Sequence, residues 1–333
     1  PAALEPYWLK DKDAIAATYA IDDIGNLNWI LKMKVVRLPN GNITLSQSAY
    51  VNQIVELFYN TDEAAITAAN PAMVSIDLSD PNLMETHKAI PLDVTNHKLY
   101  RSIVGALLYL CNTTRIDICY IVNQLCRHVA NPTNVHLKVA LNVIKYLKGT
   151  ADYCLMFYSS DDSASTGRQE NTILYGFSDA DWGGDKTSRK STSGSIVKFN
   201  NSIITWNTRK QSSVALSSTE AEYVAATNTA TDCIWIQSWL REVLGLEVFI
   251  MLFIDNQATI HLLQKDNHHA TTKHMDIKLH FLRDKVVNGN IKVKWINTDE
   301  QISDILTKQL STVIHSRLTN KLMYVQQTNT QHA

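Results

Sequence analysis

Two aspartates one residue apart, Asp179 and Asp181, follow an apolar, β-prone run that starts at Ile173. Turn-forming residues come next, including Gly183 and Gly184, so the sequence predicts a strand with both carboxylates at its C-terminal end. Neighbouring carboxylates repel each other and raise their own pKa values unless a cation neutralises them, and Mg²⁺ prefers such oxygen ligands. On this stretch alone, a solvated Asp-rich turn remains the favoured alternative.

Three more acids lie at the ends of predicted elements downstream. Glu220 falls in the first turn of a helix that opens at Ser217, Asp255 ends an apolar run, and Asp304 lies in a short final helix. With Asp179 they form a predicted set of four carboxylates over one sheet edge. Such a set can hold two Mg²⁺ ions about 3.5 to 4 Å apart, which clamp the oxygens of an in-line phosphoryl displacement.

Each of these acids also has a purely structural explanation. Ser217 and Glu220 have the spacing of a capping box, in which the acid serves the start of its own helix. Asp255 or Asn256 fits an N-cap of the helix that follows, and Thr298 and Gln301 have the capping-box spacing next to Asp304. Taken singly, these explanations are favoured; the joint placement of the acids favours a metal site.

The elements that position these acids form a mixed α/β pattern in the second half of the chain. Strands are predicted at 174–178, 195–199, 202–206, 248–254 and 291–296, with helices near 258–263 and 276–287. The first half instead predicts a hairpin at Asn40-Gly41, one amphipathic helix after it and a bundle of three helices ending at Gly149. A serine-rich, acidic segment separates the halves.

Composition sets the broad class. The 333 residues are 45% hydrophobic and 19% charged, with a formal net charge of -1, which is typical of a globular chain without a global basic signature. The five cysteines include no CxxC pair, which argues against zinc and disulfides and fits a reducing compartment. No signal peptide or membrane span is predicted. The start at Pro1 without methionine suggests a piece of a longer protein.

Several motifs closely resemble the ribonuclease H domain of copia-type LTR retrotransposon polyproteins. They run YGFSDADWGGDKTSRKSTSGSIVKF, ITWNTRKQSSVALSSTEAEYVAAT, FIDNQATI, TKHMDIKLHFLRD and WINTDEQISDILTK. Upstream, LNWILKMKVVRLPNGNITLSQSAYVNQIV and YRSIVGALLYLCNTTRIDICYIVNQLCRHVANPT resemble the end of a reverse transcriptase palm and its thumb and connection region. The resemblance implies a ribonuclease H-like mixed five-stranded sheet with flanking helices, preceded by a partial palm hairpin and a helical thumb/connection region.

The resemblance also assigns domains. Residues 1–158 are expected to be partial reverse transcriptase, 159–171 a linker, 172–310 the ribonuclease H domain and 311–333 a C-terminal tail. The polymerase aspartate pair of the family is absent, so polymerisation by this chain alone is not expected. Lys32 replaces a glycine that is usual in the family, and Ile116 replaces a usual proline.

The implied activity is hydrolysis of the RNA strand of an RNA/DNA hybrid during reverse transcription. By match to the family motifs, Asp179, Glu220, Asp255 and Asp304 are the expected catalytic metal ligands for two Mg²⁺ ions, with Mn²⁺ as a substitute. Asp181 and Glu222 are then expected to be outer-shell or structural. The usual histidine before the last acid is missing. The alternative is an inactive nucleic-acid-binding remnant.

A hybrid needs a binding surface, and the segment from Gly183 to Gln211 has six basic residues against one acid. Phosphate contact is its predicted use, and a solvated hairpin face is the alternative. The predicted nucleic-acid contacts are Lys186, Arg189, Lys190, Ser191, Thr192, Arg209, Lys210, Asn256, Lys273 and His274. The expected partners are the hybrid and the rest of the polyprotein, without a membrane. By analogy alone, the location is a cytoplasmic virus-like particle and, later, the nucleus.

Overall fold

The computed structural model describes residues 5–23, 25–59, 66–159, 173–264 and 273–326, with only the backbone given for 5–8 and 273–279. The helices are α1 Glu5–Thr18, α2 Ser48–Phe58, α3 Leu83–Thr86, α4 Val94–Thr113, α5 Cys119–Cys126, α6 Asn134–Gly149, α7 Ser218–Leu244, α8 Gln257–Gln264, α9 Lys273–Val287 and α10 Thr312–Leu322. Short 3₁₀ helices span Ile116–Ile118, Thr298–Glu300 and Ile302–Leu306.

Two five-stranded sheets are present among the described residues. The strands are β1 Trp29–Ile30, β2 Met33–Arg37, β3 Ile43–Ser46, β4 Tyr153–Phe157, β5 Ile173–Asp181, β6 Thr192–Phe199, β7 Ser202–Lys210, β8 Phe249–Ile254, β9 Ile291–Trp295 and β10 Tyr324–Val325. The first sheet has the order β1-β2-β3-β4-β10, and all of its pairs are antiparallel.

The second sheet has the order β7-β6-β5-β8-β9 and is mixed. Strands β5, β6 and β7 pair antiparallel, whereas β5, β8 and β9 pair parallel. The sharp turn between β6 and β7 uses Asn200 and Asn201, whose φ angles of 48° and 59° suit asparagine in the left-handed region. The predicted fold class, mixed α/β with a mixed five-stranded sheet and flanking helices, is confirmed.

Glycines in β5 and β6 allow neighbouring elements to pack closely on both faces of this second sheet. On one face, a Cβ at Gly176 of β5 would lie 3.0 Å from the Cys233 Sγ of α7. On the other face, a Cβ at Gly194 of β6 would lie 2.7 Å from Thr307 Cγ2 and 3.0 Å from the Ser303 carbonyl oxygen. Helix α7 and the 3₁₀ helix Ile302–Leu306 therefore pack on opposite faces of β5 and β6. Strand β5 carries Asp179.

Two departures from the sequence prediction concern the first sheet. The stretch before the predicted Asn40-Gly41 turn is itself a hairpin of β1 and β2, because Leu31 and Lys32 turn with φ angles of 48° and 61°. Lys32 thus occupies the backbone region that favours glycine. In addition, the predicted C-terminal tail contains α10 and β10, and β10 pairs with β4.

The hydrophobic core runs between the two halves of the chain. One cluster of buried side chains includes Leu107 and Ile144 from the helical bundle together with Ile196, Leu306 and Leu318 from the second half. A second cluster packs α7, α8 and α9 onto the mixed sheet. Of the predicted linker at 159–171, only Ser159 lies within the described residues. None of the described helices has the length and apolar character of a membrane span.

Candidate metal centre

Asp179 is the central acid of the site. It lies near the end of β5 and its residue is 1% exposed. Because side chains alternate along a strand, Asp179 shares a face with Phe177 and Asp181 and points away from α7. Its Oδ2 accepts a hydrogen bond from the Thr307 hydroxyl, and its Oδ1 lies 3.2 Å from Lys308 Nζ.

Glu222 reaches the same place from helix α7. It lies in the second turn of the helix, where it is buried at 6% exposure. Its Oε1 accepts a hydrogen bond of 3.2 Å from the backbone N–H of Ala180, next to Asp179. Its Oε2 is buried and has no hydrogen-bond partner among the described residues. A buried carboxylate oxygen without a donor costs free energy, so this oxygen fits a site that a cation completes.

Asp255 follows β8, the parallel neighbour of β5, so its carboxylate arrives at the same sheet edge. The Thr298 hydroxyl donates to its Oδ2 at 3.0 Å, and Trp295 Nε1 donates to its backbone carbonyl at 3.1 Å. Ligand oxygens of Asp179, Glu222 and Asp255 all lie within 4.8 Å of one another. Three carboxylates at this spacing are the hard oxygen ligands that Mg²⁺ and Mn²⁺ accept.

Asp304 joins the site through a lysine. It lies in the 3₁₀ helix Ile302–Leu306, and its Oδ1 accepts from Lys308 Nζ at 2.9 Å. The same ammonium contacts Asp179, so one cation bridges the two acids. Gln301 fastens this helix to the sheet edge, because its Nε2 donates to the Ser178 carbonyl at 2.9 Å.

The acids carry strongly perturbed pKa values. Burial, followed by repulsion from Asp179 and Asp255, raises the pKa of Glu222 to about 9. Burial and Asp179 raise the pKa of Asp304 to about 7, although Lys308 opposes this shift. Burial and Asp179 also raise the pKa of Asp255. Carboxylates crowded in this way favour a bound cation.

The same crowded acids raise the pKa of Lys308, and here the raised pKa favours the charged form. Burial alone would lower its pKa, but Asp179 and Asp304 outweigh burial and raise it. The ammonium is therefore charged at every pH at which the protein would be assayed.

The structure corrects one predicted position. Glu220, assigned from the sequence as the second ligand, lies outside the group of acids within 4.8 Å and instead binds backbone at the start of its own helix. Its backbone N–H donates to Ser217 Oγ at 3.1 Å, and its Oε2 accepts from the Leu216 N–H at 2.7 Å. Two residues correspond to roughly 200° around a helix, so Glu220 and Glu222 face opposite sides. Glu222, expected to be outer-shell or structural, is the acid beside Asp179.

A signal for Glu222 was present in the sequence. Steps of four and three residues from Glu222 follow one buried, mostly apolar helix face, which consists of Ala226, Thr229, Cys233, Ile236 and Leu240. The same steps from Glu220 pass Val224 and Thr227, which are buried, but then reach Thr231, which is exposed, and two half-buried positions, Ile234 and Ser238. Helical periodicity therefore places Glu222 on the sheet-facing side.

Asp181 and Asn256 have local structural roles. Asp181 is half-buried two residues beyond Asp179 and is absent from the group of acids within 4.8 Å. Its carboxylate fills the space beside Gly184, where a Cβ would lie 1.6 Å from Oδ2. Asn256 caps α8, because its Oδ1 accepts from the Thr259 N–H at 2.9 Å.

The predicted nucleic-acid contacts divide into exposed and internally paired groups. Arg189 and Arg209 are exposed and Lys190 is half-buried, so all three side chains reach solvent. Lys186, also exposed, pairs with Asp77 at 2.8 Å, and Lys210 pairs with Asp185.

Two of the predicted contacts are corrected because their side chains are buried. The hydroxyl of Ser191 accepts from the Gly183 N–H at 3.1 Å, and that of Thr192 accepts from Arg127 at 3.3 Å. Lys273 and His274 begin helix α9, and their side chains fall outside the described part.

Comparison with known proteins identifies the family. The chain is 35% identical over 306 residues to the retrovirus-related Pol polyprotein from transposon TNT 1-94 of Nicotiana tabacum, a match that covers 90% of this chain and 22% of that protein. It is 33% identical over 313 residues to the retrovirus-related Pol polyprotein from transposon RE1 of Arabidopsis thaliana, covering 93% of this chain and 20% of that protein. The chain belongs to the Pol polyproteins of copia-type retrotransposons.

The chain spans about a fifth of the length of these curated relatives. No protein-family model matches the sequence. Among solved structures, the foamy viral protease-reverse transcriptase in complex with RNA/DNA hybrid is 11% identical, with a TM-score of 0.40 over 83% of this chain and 31% of that chain.

Proposed function

We propose that this Pol chain is a ribonuclease H that hydrolyses the RNA strand of RNA/DNA hybrids. One observation carries the proposal: Asp179, Glu222 and Asp255 bring ligand oxygens within 4.8 Å of one another, and one of the oxygens, Glu222 Oε2, is buried without a donor. Family membership and the motif resemblance support the reaction class.

The residues that would hold a divalent ion are Asp179, Glu222 and Asp255. When bound, the ion supplies an activated water and neutralises charge on the phosphate. The protein contributes fixed ligand positions: Ala180 N–H holds Glu222, Thr298 holds Asp255, and Thr307 holds Asp179. Preformed positions of this kind lower the reorganisation that the transition state requires.

Substrate binding is assigned to the exposed cations near the β6–β7 hairpin. Arg189, Lys190 and Arg209 would contact phosphates of the hybrid, which sets register without reading sequence. Each phosphate contact that is lost should weaken binding and make the affinity less dependent on salt. Residues 29–157 would act as an accessory clamp from the reverse transcriptase.

The deciding experiment is cleavage of a labelled RNA/DNA hybrid by the whole chain with Mg²⁺, with Mn²⁺ and with EDTA. Metal-dependent loss of the RNA strand, with single-stranded and duplex RNA spared, is the expected result. Binding of the hybrid in a gel-shift assay without any cleavage would instead support the inactive binding remnant. Neither binding nor cleavage by a well-folded protein would contradict both functions.

A further inference from the structure

Lys308 lies between two acids of the site, Asp179 and Asp304. Its Nζ lies 3.2 Å from Asp179 Oδ1 and 2.9 Å from Asp304 Oδ1. The side chain is 32% exposed, whereas the carboxylates of Asp179 and Asp304 are 1% and 12% exposed. The ammonium therefore forms two charge-assisted hydrogen bonds in a largely enclosed place, where such bonds are strong.

The backbone fixes this lysine in position. The Lys308 N–H donates to the Asp304 carbonyl at 3.1 Å, so one turn of chain brings the side chain back over Asp304. The preceding residue, Thr307, is fully buried and donates its hydroxyl to Asp179. Two consecutive residues thus bind the same aspartate, which limits how far Lys308 can swing away.

The acids consequently form two groups that differ in whether a protein cation already neutralises them. Asp179, Glu222 and Asp255 form the first group, and Glu222 Oε2 there has no donor among the described residues. Asp179 and Asp304 form the second group, and the Lys308 ammonium already neutralises it. A second divalent ion at this second group would have to expel a tethered cation or lie beside a like charge, which is strongly unfavourable at such short range.

We propose that the Lys308 ammonium takes the place of the second metal ion, so that the site binds a single divalent ion at Asp179, Glu222 and Asp255. This inference rests on the proposed function for its catalytic meaning, but the number of bound ions does not depend on cleavage. Lys308 holds Asp179 and Asp304 at fixed positions without metal. It also carries three N–H donors, of which two are used, leaving one for a phosphate oxygen.

The test counts Mn²⁺ ions bound to the whole metal-free chain, by electron paramagnetic resonance of unbound Mn²⁺ and by calorimetry. The wild-type chain is expected to bind one ion. Lys308→Met, which keeps the stem and removes the charge, is expected to bind two. Lys308→Arg retains a cation and should bind one, as should Lys138→Met, a matched loss of charge in α6.

Glu222→Gln in the Lys308→Met background should bring the count back from two to one, which locates the first ion. Circular dichroism melting checks that the variants fold, and Lys308→Gln provides a second neutral variant if the methionine variant does not. Two ions on the wild-type chain, or one ion on both folded neutral variants, would overturn the inference. A wild-type chain that binds one ion and cleaves no hybrid would overturn only the proposed ribonuclease activity.

Discussion

At the scale of single residues, the site depends on which of two neighbouring glutamates faces the sheet. Both belong to the STEAEY motif, yet Glu220 binds the Leu216 N–H just before helix α7 while Glu222 is buried against β5. The two acids are chemically identical, lie in the same helix and differ only in the direction of their side chains. They therefore form a matched pair for mutagenesis.

We expect Glu222→Gln to reduce metal-dependent hybrid cleavage by at least about 100-fold, since loss of an outer-shell partner alone costs roughly 10- to 100-fold at metal sites. Glu220→Gln removes the charge but keeps an acceptor oxygen for the Leu216 N–H, and it should leave the rate within a few-fold. Initial rates with saturating Mg²⁺ measure both variants. If Glu220→Gln abolished cleavage and Glu222→Gln did not, the assignment of the ligand would be reversed.

The raised pKa of Glu222 predicts that stability of the metal-free protein depends on pH. In the unfolded state Glu222 loses its proton above its ordinary pKa of 4.5. In the folded state it keeps this proton until the pH approaches its raised pKa of about 9. Stability is therefore greatest below about 4.5 for this group and falls as pH rises toward 9. The slope approaches about 1.4 kcal/mol per pH unit for one proton.

Urea denaturation in EDTA between pH 5 and 9 measures this slope. Glu222→Gln cannot ionise and should flatten it, while Glu220→Gln should not. Asp304, whose pKa is raised to about 7, should also make stability fall with pH below pH 7. Part of the slope should therefore remain in the Glu222→Gln variant. Metal binding must displace these protons, so Mn²⁺ affinity should increase over the same range. Equal slopes in the wild-type and Glu222→Gln proteins would contradict the burial of an ionisable carboxyl.

At the scale of elements, the acids are brought together by close packing on both faces of β5 and β6. The 3₁₀ helix Ile302–Leu306 lies against Gly194 so closely that a methyl group there would meet Leu306 Cβ at 2.9 Å. The Ser303 carbonyl oxygen, a backbone atom, would lie at 3.0 Å. This helix holds Asp304 and is followed at once by Lys308, so its distance from the sheet sets one side of the site.

Gly194→Ala should consequently displace the 3₁₀ helix. We expect a loss of about 1 to 3 kcal/mol in the free energy of unfolding, typical of overpacking, together with reduced cleavage. Gly105→Ala is the matched control, because a Cβ at Gly105 in helix α4 meets no atom within 4 Å and alanine favours helix. Chemical denaturation and initial rates test both. Unchanged stability in Gly194→Ala would show that the helix shifts freely.

The elements also show what sequence reasoning can and cannot reach. Strands β5 to β9 were predicted because their alternation, apolar content and flanking turn residues are local signals. Strand β10 was missed, since its two residues carry no pattern and it exists only by pairing with β4. Lys308 was missed because its significance depends on Asp179, which lies 129 residues earlier in the chain.

At the scale of the whole molecule, the half that carries the acidic site and the helical half share a core, and a buried polar network links the bundle to helix α10. The Arg115 guanidinium binds both carboxylate oxygens of Asp117, at 3.0 and 2.7 Å, and the Thr150 carbonyl at 3.0 Å. The Tyr146 hydroxyl donates to the same carboxylate at 2.7 Å. From the C-terminal helix α10, His315 Nε2 donates to the Asp117 carbonyl at 2.9 Å. Asp117 thus binds Arg115 and Tyr146 through its carboxylate and α10 through its backbone carbonyl.

Arg115→Met would leave the Asp117 carboxylate buried without its cation, so the free energy of unfolding should fall by about 3 to 5 kcal/mol. Arg101→Met, an exposed change in α4, should stay within about 0.5 kcal/mol. Because the core is continuous between the halves, hybrid cleavage in Arg115→Met should be lost in the same thermal transition as the helical signal. Cleavage that persists after the helices melt would show instead that the half that carries the acidic site is stable without the bundle.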